Sequence, residues 1–593
     1  MCSSDAANLP KRGEEDGRSF SEDPSSSADS DATQLGVVKA EAARRVVGWQ
    51  LYVAWLGIAL VSYVYGLDNN TTYAYLTAAA TFFSDYNLYP AMSVVQQVLI
   101  GVMKLPVAKL SDVFGRAEAY TLSIAFYVLG FIVIASSQST AAVFGGVVLQ
   151  AIGNTGTQIM QQIVIADWVP ADWRGFAIGI VSWPYIVNFA IAPLITGQLA
   201  SFSEPTSQKW RWGAGMFCIL LPIVSSPIIL TLALSQRTAK RSGLLSRTRA
   251  SPGAVTLFKE VDVIGLFLIV TGWLLILLPL QLYSRAPQGW STSYIIAMLV
   301  IGGCCLIATA VWEAFFSPRP IIRRTYIFNK NVLLPTLIGF FDFLSFYASW
   351  LNAYSWAQIT FDFTVKEATY FSNAQSLCLT VFGIVTGIVA IVTKRYKWQM
   401  VTGACIRVLG IGLMICYRTQ GSSTAQVVVP QILQGLGGGI LGVQLQVAAQ
   451  VNVPHQDVAM VTAFVLLLTE IGGAVGSAVV GAVQNHVLPT KIALYLPQLS
   501  IADKTSIVAA PLAAILNYPL GSPVRDGIIH AWSDFMHVCL IIAIVTGAVP
   551  IILTVMLSDN KLTRDQNVIG DKARFGHDSE GTHVDESNAD SKV

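Results

Sequence analysis

The sequence predicts an all-α protein that crosses a membrane fourteen times, and three observations support this prediction. Of the 593 residues, 53% are hydrophobic and only 12% are Asp, Glu, Lys or Arg, whereas ordinary soluble domains have about 25% charged residues. The hydrophobic residues are grouped in stretches of about 20, the length that spans the hydrocarbon core of a bilayer. These stretches do not alternate with a period of two, so a backbone placed in lipid must be hydrogen-bonded within helices.

The predicted helices lie between two polar tails, 1–48 and 558–593, which we expect to be disordered. The first tail lacks the apolar core of a cleavable signal peptide, so the first helix is expected to act as an uncleaved targeting signal. Two connections, 235–261 and 481–533, are unusually long for a compact protein. The fourteen helices are predicted near 49–66, 91–109, 119–137, 142–166, 175–200, 211–234, 262–283, 293–316, 331–350, 368–393, 397–417, 425–448, 458–480 and 534–557.

The distribution of Lys and Arg predicts the orientation, although the net charge of only +2 says nothing about a nucleic-acid partner. An even number of crossings places both tails on the same side. The loop 67–90 contains no Lys or Arg, whereas the loop 235–261 carries Arg237, Lys240, Arg241, Arg247, Arg249 and Lys259. Because basic loops stay in the cytoplasm, both termini are expected there, with the loop 481–533 outside.

A short segment between the second and third helices has the most specific motif, Leu110-Ser-Asp112-Val-Phe-Gly115-Arg116. A Gly permits a tight turn, and Asp and Arg can pair with each other and with helix-end dipoles. The segment resembles the signature loop of the major facilitator superfamily, G-x-L-x-D-x-x-G-R, although Pro106 or a neighbour replaces the leading Gly. The resemblance implies a conformational latch formed by Asp112, Gly115 and Arg116.

Membership of this superfamily implies a major facilitator fold with two six-helix halves that rock about a central site. With fourteen helices, the resemblance implies a 6+2+6 arrangement. The halves would be 49–234 and 331–557, and the segment 235–330 would hold a cytoplasmic loop and the two extra helices.

Several other stretches resemble fungal siderophore–iron transporters of the same superfamily. They occur in order between about residues 49 and 557, and they are Tyr65-Gly66-Leu67-Asp68, Trp210-Arg211-Trp212-Gly213, Phe340-Phe341-Asp342-Phe343, Val453-Pro454-His455-Gln456, Ile471-Gly472-Gly473-Ala474 and Tyr518-x-x-Gly521-Ser522-x-x-Arg525. The resemblance implies a monomeric secondary transporter in a lipid bilayer that imports ferric-siderophore chelates with protons. It implies the plasma membrane, or alternatively an endosomal or vacuolar membrane.

Three alternative functions remain open at this point. A glutathione–proton exchanger belongs to the same family, and a drug–proton antiporter belongs to the same superfamily. Such antiporters usually carry G-x-x-x-G-P-x-x-G-G in the fifth helix, and the segment 178–197 lacks that pattern. A nutrient sensor that does not transport would favour longer cytoplasmic tails. An enzyme is not expected, because no nucleophile–base pair or metal-ligand set is evident.

The substrate class predicts what the binding residues should be. A chelator already fills the coordination sphere of iron, so we expect no cofactor and no metal site built from protein ligands. Aromatic surfaces and hydrogen-bonding groups suit a bulky organic shell. For Tyr354 the alternative is a membrane-interface belt, and for Tyr518 and Arg525 it is a disordered spacer. The candidate substrate-binding residues are Asp68, Tyr73, Asp342, Tyr347, Trp350, Asn352, Tyr354, Tyr518 and Arg525.

Ionisable residues inside the predicted spans are costly to bury and therefore indicate function. Lys104, Asp342, Arg407 and Glu470 are such residues, and Asp68 lies at a predicted helix end. Glu470 lies in the middle of its span close to three consecutive leucines, which suits a proton carrier. We expect Glu470, Asp342 and Arg407 to take part in proton coupling, with a structural pairing of Arg407 and a carboxylate as the alternative.

Overall fold

The computed structural model describes residues 49–168, 182–200, 208–241, 262–283, 286–317, 328–419, 421–451, 453 and 458–559. Within these ranges the chain is helical and contains no β-strand, which confirms the all-α prediction. We number the long helices in chain order as α1 Trp49–Phe82, α2 Tyr89–Phe114, α3 Arg116–Ser136, α4 Thr140–Trp168, α5 Pro184–Leu199, α6 Lys209–Arg241, α7 Val263–Leu277, α8 Ser293–Val311, α9 Lys330–Trp350, α10 Val365–Thr393, α11 Lys397–Tyr417, α12 Thr424–Gln450, α13 Val458–Tyr495 and α14 Pro523–Val555.

Eleven helices of the described ranges are long and apolar enough to cross a membrane. Helices α1, α4 and α5 are not among these eleven, so the prediction of fourteen crossings stays a prediction. Short helices also connect the long ones, among them Ala353–Phe361 after α9 and Ile501–Ala509 after α13. Of the predicted tails only residues 558 and 559 are described, and of the predicted loop 235–261 only 235–241, which continue helix α6.

Helix α1 continues well beyond the end predicted for it at residue 66. Its polar residues stay helical because their side chains hydrogen-bond to carbonyls one turn earlier. Asn70 Nδ2 donates to Gly66 O at 2.8 Å and Thr71 Oγ1 donates to Leu67 O at 2.9 Å. The predicted loop 67–90 is thereby reduced to the few residues that separate α1 from α2, which include the single helical turn Tyr86–Leu88.

The long connection predicted at 481–533 is also mostly helical. Helix α13 continues to Tyr495, and α14 begins at Pro523, with Ser522 Oγ accepting a hydrogen bond from Arg525 N at 3.2 Å. Lys491, in the part of α13 beyond its predicted end, forms an ion pair with α14, because its Nζ lies 2.7 Å from Asp534 Oδ2. The connection that remains, 496–522, includes Ile501–Ala509 and two shorter turns.

The long helices pack as two groups, α1–α6 and α9–α14. Within the first group α3 packs on α4 and α6, and α1 packs on α5 and α6; within the second α9 packs on α13 and α14, and α10 and α11 pack on α12. The groups meet mainly along two seams, α2 against α13 and α5 against α10. We call the end where α1 begins and α14 finishes the terminal end, and the opposite end, which holds the helix Ala353–Phe361, the capped end.

Helices α7 and α8 form a pair on the outside of the α2–α13 seam. Gln281, just after α7, donates from Nε2 to Ala478 O of α13 at 2.9 Å, and Asn485 Nδ2 donates back to Gln281 O at 3.0 Å. Asp262 caps α7 by accepting from Gly265 N at 3.1 Å, and it also accepts from Trp312 Nε1 at 2.8 Å. These bonds fasten the extra pair to the seam without placing it between the two groups.

The turn between α2 and α3 depends on Gly115. Its φ of 118° and ψ of 162° lie in a region that side chains with a Cβ rarely adopt, as expected for the glycine of the signature motif. Arg116 follows it and donates from Nη1 to Ser111 Oγ at 2.7 Å. The side chain of Asp112 lies outside the described residues, so the latch it would form stays a prediction.

Candidate functional site

A cavity of about 220 Å³ lies between the two groups of helices, roughly midway along α1. One wall is built by α1, α2 and α4, and the facing wall by α9 and α13. Its lining combines aromatic rings with uncharged amides and hydroxyls, together with two carboxyl groups. The lining residues are Tyr65, Asp68, Asn69, Thr72, Tyr73, Leu76, Tyr89, Ser93, Gln96, Gln97, Ile100, Gln150, Asn154, Gln158, Phe343, Tyr347, Trp350, Leu351 and Glu470.

Asp68 is the carboxyl group of the α1 wall, and only 1% of the residue is exposed. Thr72 Oγ1 donates to its Oδ1. Its Oδ2 accepts from the Tyr127 hydroxyl of α3, from Gln150 Nε2 at 3.1 Å and from Asn154 Nδ2 at 3.2 Å. Uncharged donors therefore surround this carboxyl group, and within the described ranges no Lys, Arg or His forms an ion pair with it.

Close packing of α3 against α4 makes this arrangement possible. A Cβ added at Gly153 of α4 would collide with the backbone of Tyr127, so only glycine allows the two helices to come this near. Asn154, the next residue, also donates to the Tyr127 hydroxyl at 2.9 Å. The glycine thus positions both donors against Asp68.

The aromatic wall is centred on Trp350 and Tyr73, which meet across the two groups. Their ring centroids are 5.6 Å apart in an edge-to-face arrangement, a favourable geometry for aromatic rings. Phe346 stacks on Trp350 at 5.5 Å. The Tyr347 hydroxyl accepts a hydrogen bond from Gln97 Nε2 of α2 at 2.5 Å. Four of the predicted substrate-binding residues, Asp68, Tyr73, Tyr347 and Trp350, therefore lie in one cavity.

Two ion pairs lie in the same region, one buried and one partly buried. Lys104 Nζ of α2 is 3.1 Å from Glu470 Oε1 of α13, so this pair bridges the two groups of helices beside the cavity. Arg407 Nε of α11 is 3.0 Å from Asp342 Oδ1 of α9, so the second pair lies within one group. Arg407 Nη2 also donates to the Asp342 carbonyl at 3.2 Å. Asp342 itself does not line the cavity, although the next residue of its helix, Phe343, does.

Other predicted residues are placed in the packing at the capped end. Asn352 accepts from the Tyr86 hydroxyl at 3.0 Å and donates to Gln484 Oε1 at 2.9 Å. Tyr354 is buried with its ring edge-to-face on Tyr73 at 5.3 Å. The lining of the cavity includes neither Asn352 nor Tyr354. They lie in the packed layer between the cavity and the capped end, which we call the roof.

Arg525 does not lie at the mouth of the cavity, where the sequence placed it. The residue is 1% exposed, and its Nη2 donates to Ile359 O at 2.9 Å and lies 3.0 Å from Asp362 Oδ1. Its Nη1 donates to Ile515 O at 3.1 Å. These bonds tie the start of α14 to the short helix Ala353–Phe361. Tyr518 is half-buried against hydrophobic residues and does not line the cavity.

The sequence analysis missed the polar amides of the site. Gln150, Asn154 and Gln158 recur every four residues in α4, a spacing that places them on one face of a helix. Amides at that spacing within an apolar span indicate an internal polar surface. Gln96 and Gln97 of α2 complete the set. Attention to ionisable groups alone overlooked this signal.

A second cavity of about 310 Å³ lies nearer the terminal end. It shares Tyr65 and Gln158 with the first, so the two cavities have a common wall. Its remaining lining residues are uncharged, and they are Gln161, Gln162, Ile165, Ser182, Tyr185, Ser376, Leu379 and Thr380. Towards the capped end the two groups are instead joined by hydrogen bonds, such as Tyr73 hydroxyl to Asn373 Oδ1 at 3.2 Å and Thr196 to Thr369 at 2.9 Å.

Comparison with known proteins identifies the architecture. The sequence-family model of the Major Facilitator Superfamily matches residues 54–357. MFS siderochrome iron transporter C of Aspergillus fumigatus is 35% identical over 92% of this chain and 90% of its own length. Siderophore iron transporter mirC of Emericella nidulans is 34% identical over 93% and 91%. The chain belongs to the siderophore–iron transporter family of the major facilitator superfamily. It is a multi-pass membrane transporter, and the resemblance found in its motifs is confirmed.

Other relatives define the range of this similarity. Low affinity heme transporter str3 of Schizosaccharomyces pombe is 31% identical over 92% of this chain and 88% of its own length. Among solved structures, a bacterial homolog of the human lysosomal transporter Spinster, inward-facing and unoccupied, has a TM-score of 0.52. It is 13% identical and covers 86% of this chain and 98% of its own. At that identity the likeness shows the fold alone.

Proposed function

We propose that this transporter imports ferric-siderophore chelates through the cavity between its two groups of helices. The observation that carries the proposal is the lining of that cavity, in which aromatic rings and uncharged amides face each other across the two groups. The names of its relatives support the same substrate class. A chelate whose iron is already coordinated needs a site that binds an organic shell, and aromatic faces and amide donors bind such a shell.

The residues that bind the organic shell in this proposal are Trp350, Tyr347 and Tyr73. Asp68 lies in the same cavity, but both of its carboxyl oxygens already accept hydrogen bonds from the protein's own side chains. A cavity of about 220 Å³ is smaller than the roughly 300–1,000 Å³ of sites for drug-sized ligands. A bulky chelate therefore requires the two groups to move apart. Four other predicted residues would affect binding indirectly, by stabilising the roof of the cavity, and they are Asn352, Tyr354, Tyr518 and Arg525.

Alternating access supplies that movement. In the proposed arrangement fourteen helices cross the membrane as 6+2+6, with both termini in the cytoplasm and the latch of Asp112, Gly115 and Arg116 at the terminal end. The halves 49–234 and 331–557 then rock about the cavity. Hydrogen bonds between the groups at the capped end, together with the second cavity towards the terminal end, support a pathway that opens to the cytoplasm.

We further propose that protons drive the uptake and that the protein works as a monomer in the plasma membrane. The ion pairs Lys104–Glu470 and Asp342–Arg407 support an electrostatic role in coupling. Charged side chains inside a membrane are costly, so their presence indicates a function. Glu470 borders the cavity and pairs across the two groups. Movement of the groups must therefore change its surroundings.

Uptake of radioactive iron tests the substrate and the direction. A host without siderophore transporters would express the chain and receive the iron as a ferric trihydroxamate, as another siderophore chelate or as heme. We expect accumulation of at least one chelate, abolished by a protonophore and absent with an empty vector. Heme uptake alone would favour the activity named for the yeast relative, and glutathione efflux without iron uptake would contradict import.

Reporter fusions test the topology separately. A reporter at Arg241 or at either terminus is expected in the cytoplasm, and one at Ala509 is expected outside. A cytoplasmic reporter at Ala509 would mean that an even number of helices, and not the proposed seven, crosses the membrane between Arg241 and Ala509.

A further inference from the structure

We infer that Asp68 is the residue that binds and releases the coupling proton, and that the paired carboxylates Glu470 and Asp342 keep their charge. The inference rests on the proposed proton-driven transport and names its site. Of the three largely buried carboxyl groups described in the central region, two face a cation and one does not.

The two paired carboxylates are poorly suited to reversible protonation. Glu470 lies 3.1 Å from Lys104 Nζ, and Asp342 lies 3.0 Å from Arg407 Nε. A proton on either carboxylate would leave its buried partner as an uncompensated cation, which is strongly unfavourable. A nearby cation also favours the ionised carboxylate directly. These pairs therefore remain charged as long as they remain together.

Asp68 has no such partner, and its hydrogen bonds permit both charge states. In the ionised state all four of its donors are uncharged groups. When a proton binds Oδ1, that oxygen becomes a donor and needs an acceptor. Thr72 Oγ1 meets this need because a hydroxyl can both donate and accept. The three donors to Oδ2 stay in place, so protonation breaks no hydrogen bond on that side.

The hydroxyl hydrogen of Thr72 also has a place to go. Thr71, its neighbour, donates to the carbonyl one turn earlier, Leu67 O, at 2.9 Å. The equivalent carbonyl for Thr72 is that of Asp68 itself. When a proton binds Asp68, one rotation of the Thr72 hydroxyl therefore reverses the hydrogen bond between them, and the proton alone changes the charge of the site. The proton enters from the cavity that Asp68 and Thr72 line, binds Oδ1, and leaves from the same atom.

The other titratable groups around Asp68 can be named from each neighbouring helix. Its own helix presents Tyr65 and Tyr75, α3 presents Tyr127 and α5 presents Tyr185. The α4 face contributes only uncharged amides. Across the cavity the charges are those of the pair Lys104–Glu470, which balance each other. Near neutral pH the tyrosines stay protonated, so Asp68 is the group in this cluster that can titrate.

Asp68→Asn gives the sharpest test, because an asparagine reproduces the protonated arrangement. Its oxygen can accept the three bonds made to Oδ2, and its NH₂ group can donate to Thr72 Oγ1. The purified full chain would be reconstituted in liposomes containing a pH-sensitive dye, with a radioactive ferric chelate that the wild type transports. We expect Asp68→Asn to exchange chelate across the membrane at equal pH, but to lose proton-driven accumulation and chelate-dependent proton influx.

Two further variants make the test discriminating. Tyr127→Phe removes one donor from the carboxylate and so makes protonation easier. It is expected to move the pH midpoint of uptake upward by about one to two units, a change that a purely structural role would not produce. Glu470→Gln leaves Lys104 unpaired and is expected to impair exchange and driven uptake alike.

Each outcome decides the question. Chelate-dependent proton influx that persists in Asp68→Asn would overturn the inference while leaving proton-driven import intact. Exchange without proton influx in Glu470→Gln, together with normal coupling in Asp68→Asn, would place the proton on Glu470. A wild type that moves chelate without protons, or moves no chelate, would refute the proposed function instead.

Discussion

The ion pair between Lys104 and Glu470 makes a quantitative prediction about how the two groups of helices hold together. The pair joins α2 to α13, and the two side chains are 4% and 14% exposed with a separation of 3.1 Å. We consider the nearly isosteric changes Lys104→Met and Glu470→Gln, alone and combined. Each single change leaves one buried charge without its partner, whereas the double change removes both charges.

The structure sets the size of the expected effect. Two unit charges 3.1 Å apart attract by about 5 kcal/mol at an effective dielectric constant of about 20. Removing one partner of such a buried pair costs about 3–5 kcal/mol, and replacing both with uncharged groups costs far less. We therefore expect each single variant to lose about 3 kcal/mol of stability and the double variant about 1 kcal/mol.

Thermal unfolding of the purified protein in detergent measures this effect. The Tm of the double variant should lie above that of both single variants, which is the signature of an interaction between the two side chains. Changes in Tm that simply add would refute the reasoning, because they would mean that the two side chains act independently. In that case the pair would neither bridge the groups nor take part in their movement.

Three other substitutions test the cavity, its roof and the packing behind it. Trp350→Ala should raise the apparent KM for chelate about 5- to 30-fold, because about 1–2 kcal/mol of aromatic contact is lost. Trp398 is 60% exposed on the outer surface, so Trp398→Ala should leave KM unchanged. Equal KM values for the two variants would contradict the proposed site. Arg525→Met should lower the free energy of unfolding by about 2–4 kcal/mol because it leaves buried carbonyls without donors, and Arg525→Lys should have an intermediate Tm. An unchanged Tm would mean that Arg525 does not tie α14 to the helix Ala353–Phe361. Gly153→Leu should abolish proton-driven uptake by forcing α3 away from α4. Gly145→Leu on the same helix should be tolerated, because a Cβ there meets nothing within 4 Å. Equal uptake by the two variants would contradict the role of close packing at Gly153.

The helix ends show where local sequence patterns stopped being sufficient. Residues 69–72 form a polar run that predicts a loop after the first span. In the structure they continue the helix, because the side chains of Asn69, Asn70 and Thr71 hydrogen-bond to carbonyls one turn earlier and the helix is packed on its neighbours. The same holds for 481–495, where Lys491 is paired with Asp534 of α14. Hydropathy measures the preference for lipid, and it does not register polar groups satisfied inside a bundle.

By itself the sequence determined the all-helical membrane class, the family and the turn at Gly115, because hydropathy, motifs and glycine conformation are local properties. Only the tertiary structure decided which polar side chains meet. Asp68 is surrounded by groups 59, 82 and 86 residues away along the chain, and Arg525 is buried against carbonyls 166 and 167 residues away. Such separations carry no periodic signal in a single sequence. The helix packing that brings these groups together determines whether a carboxyl group faces a cation or an amide.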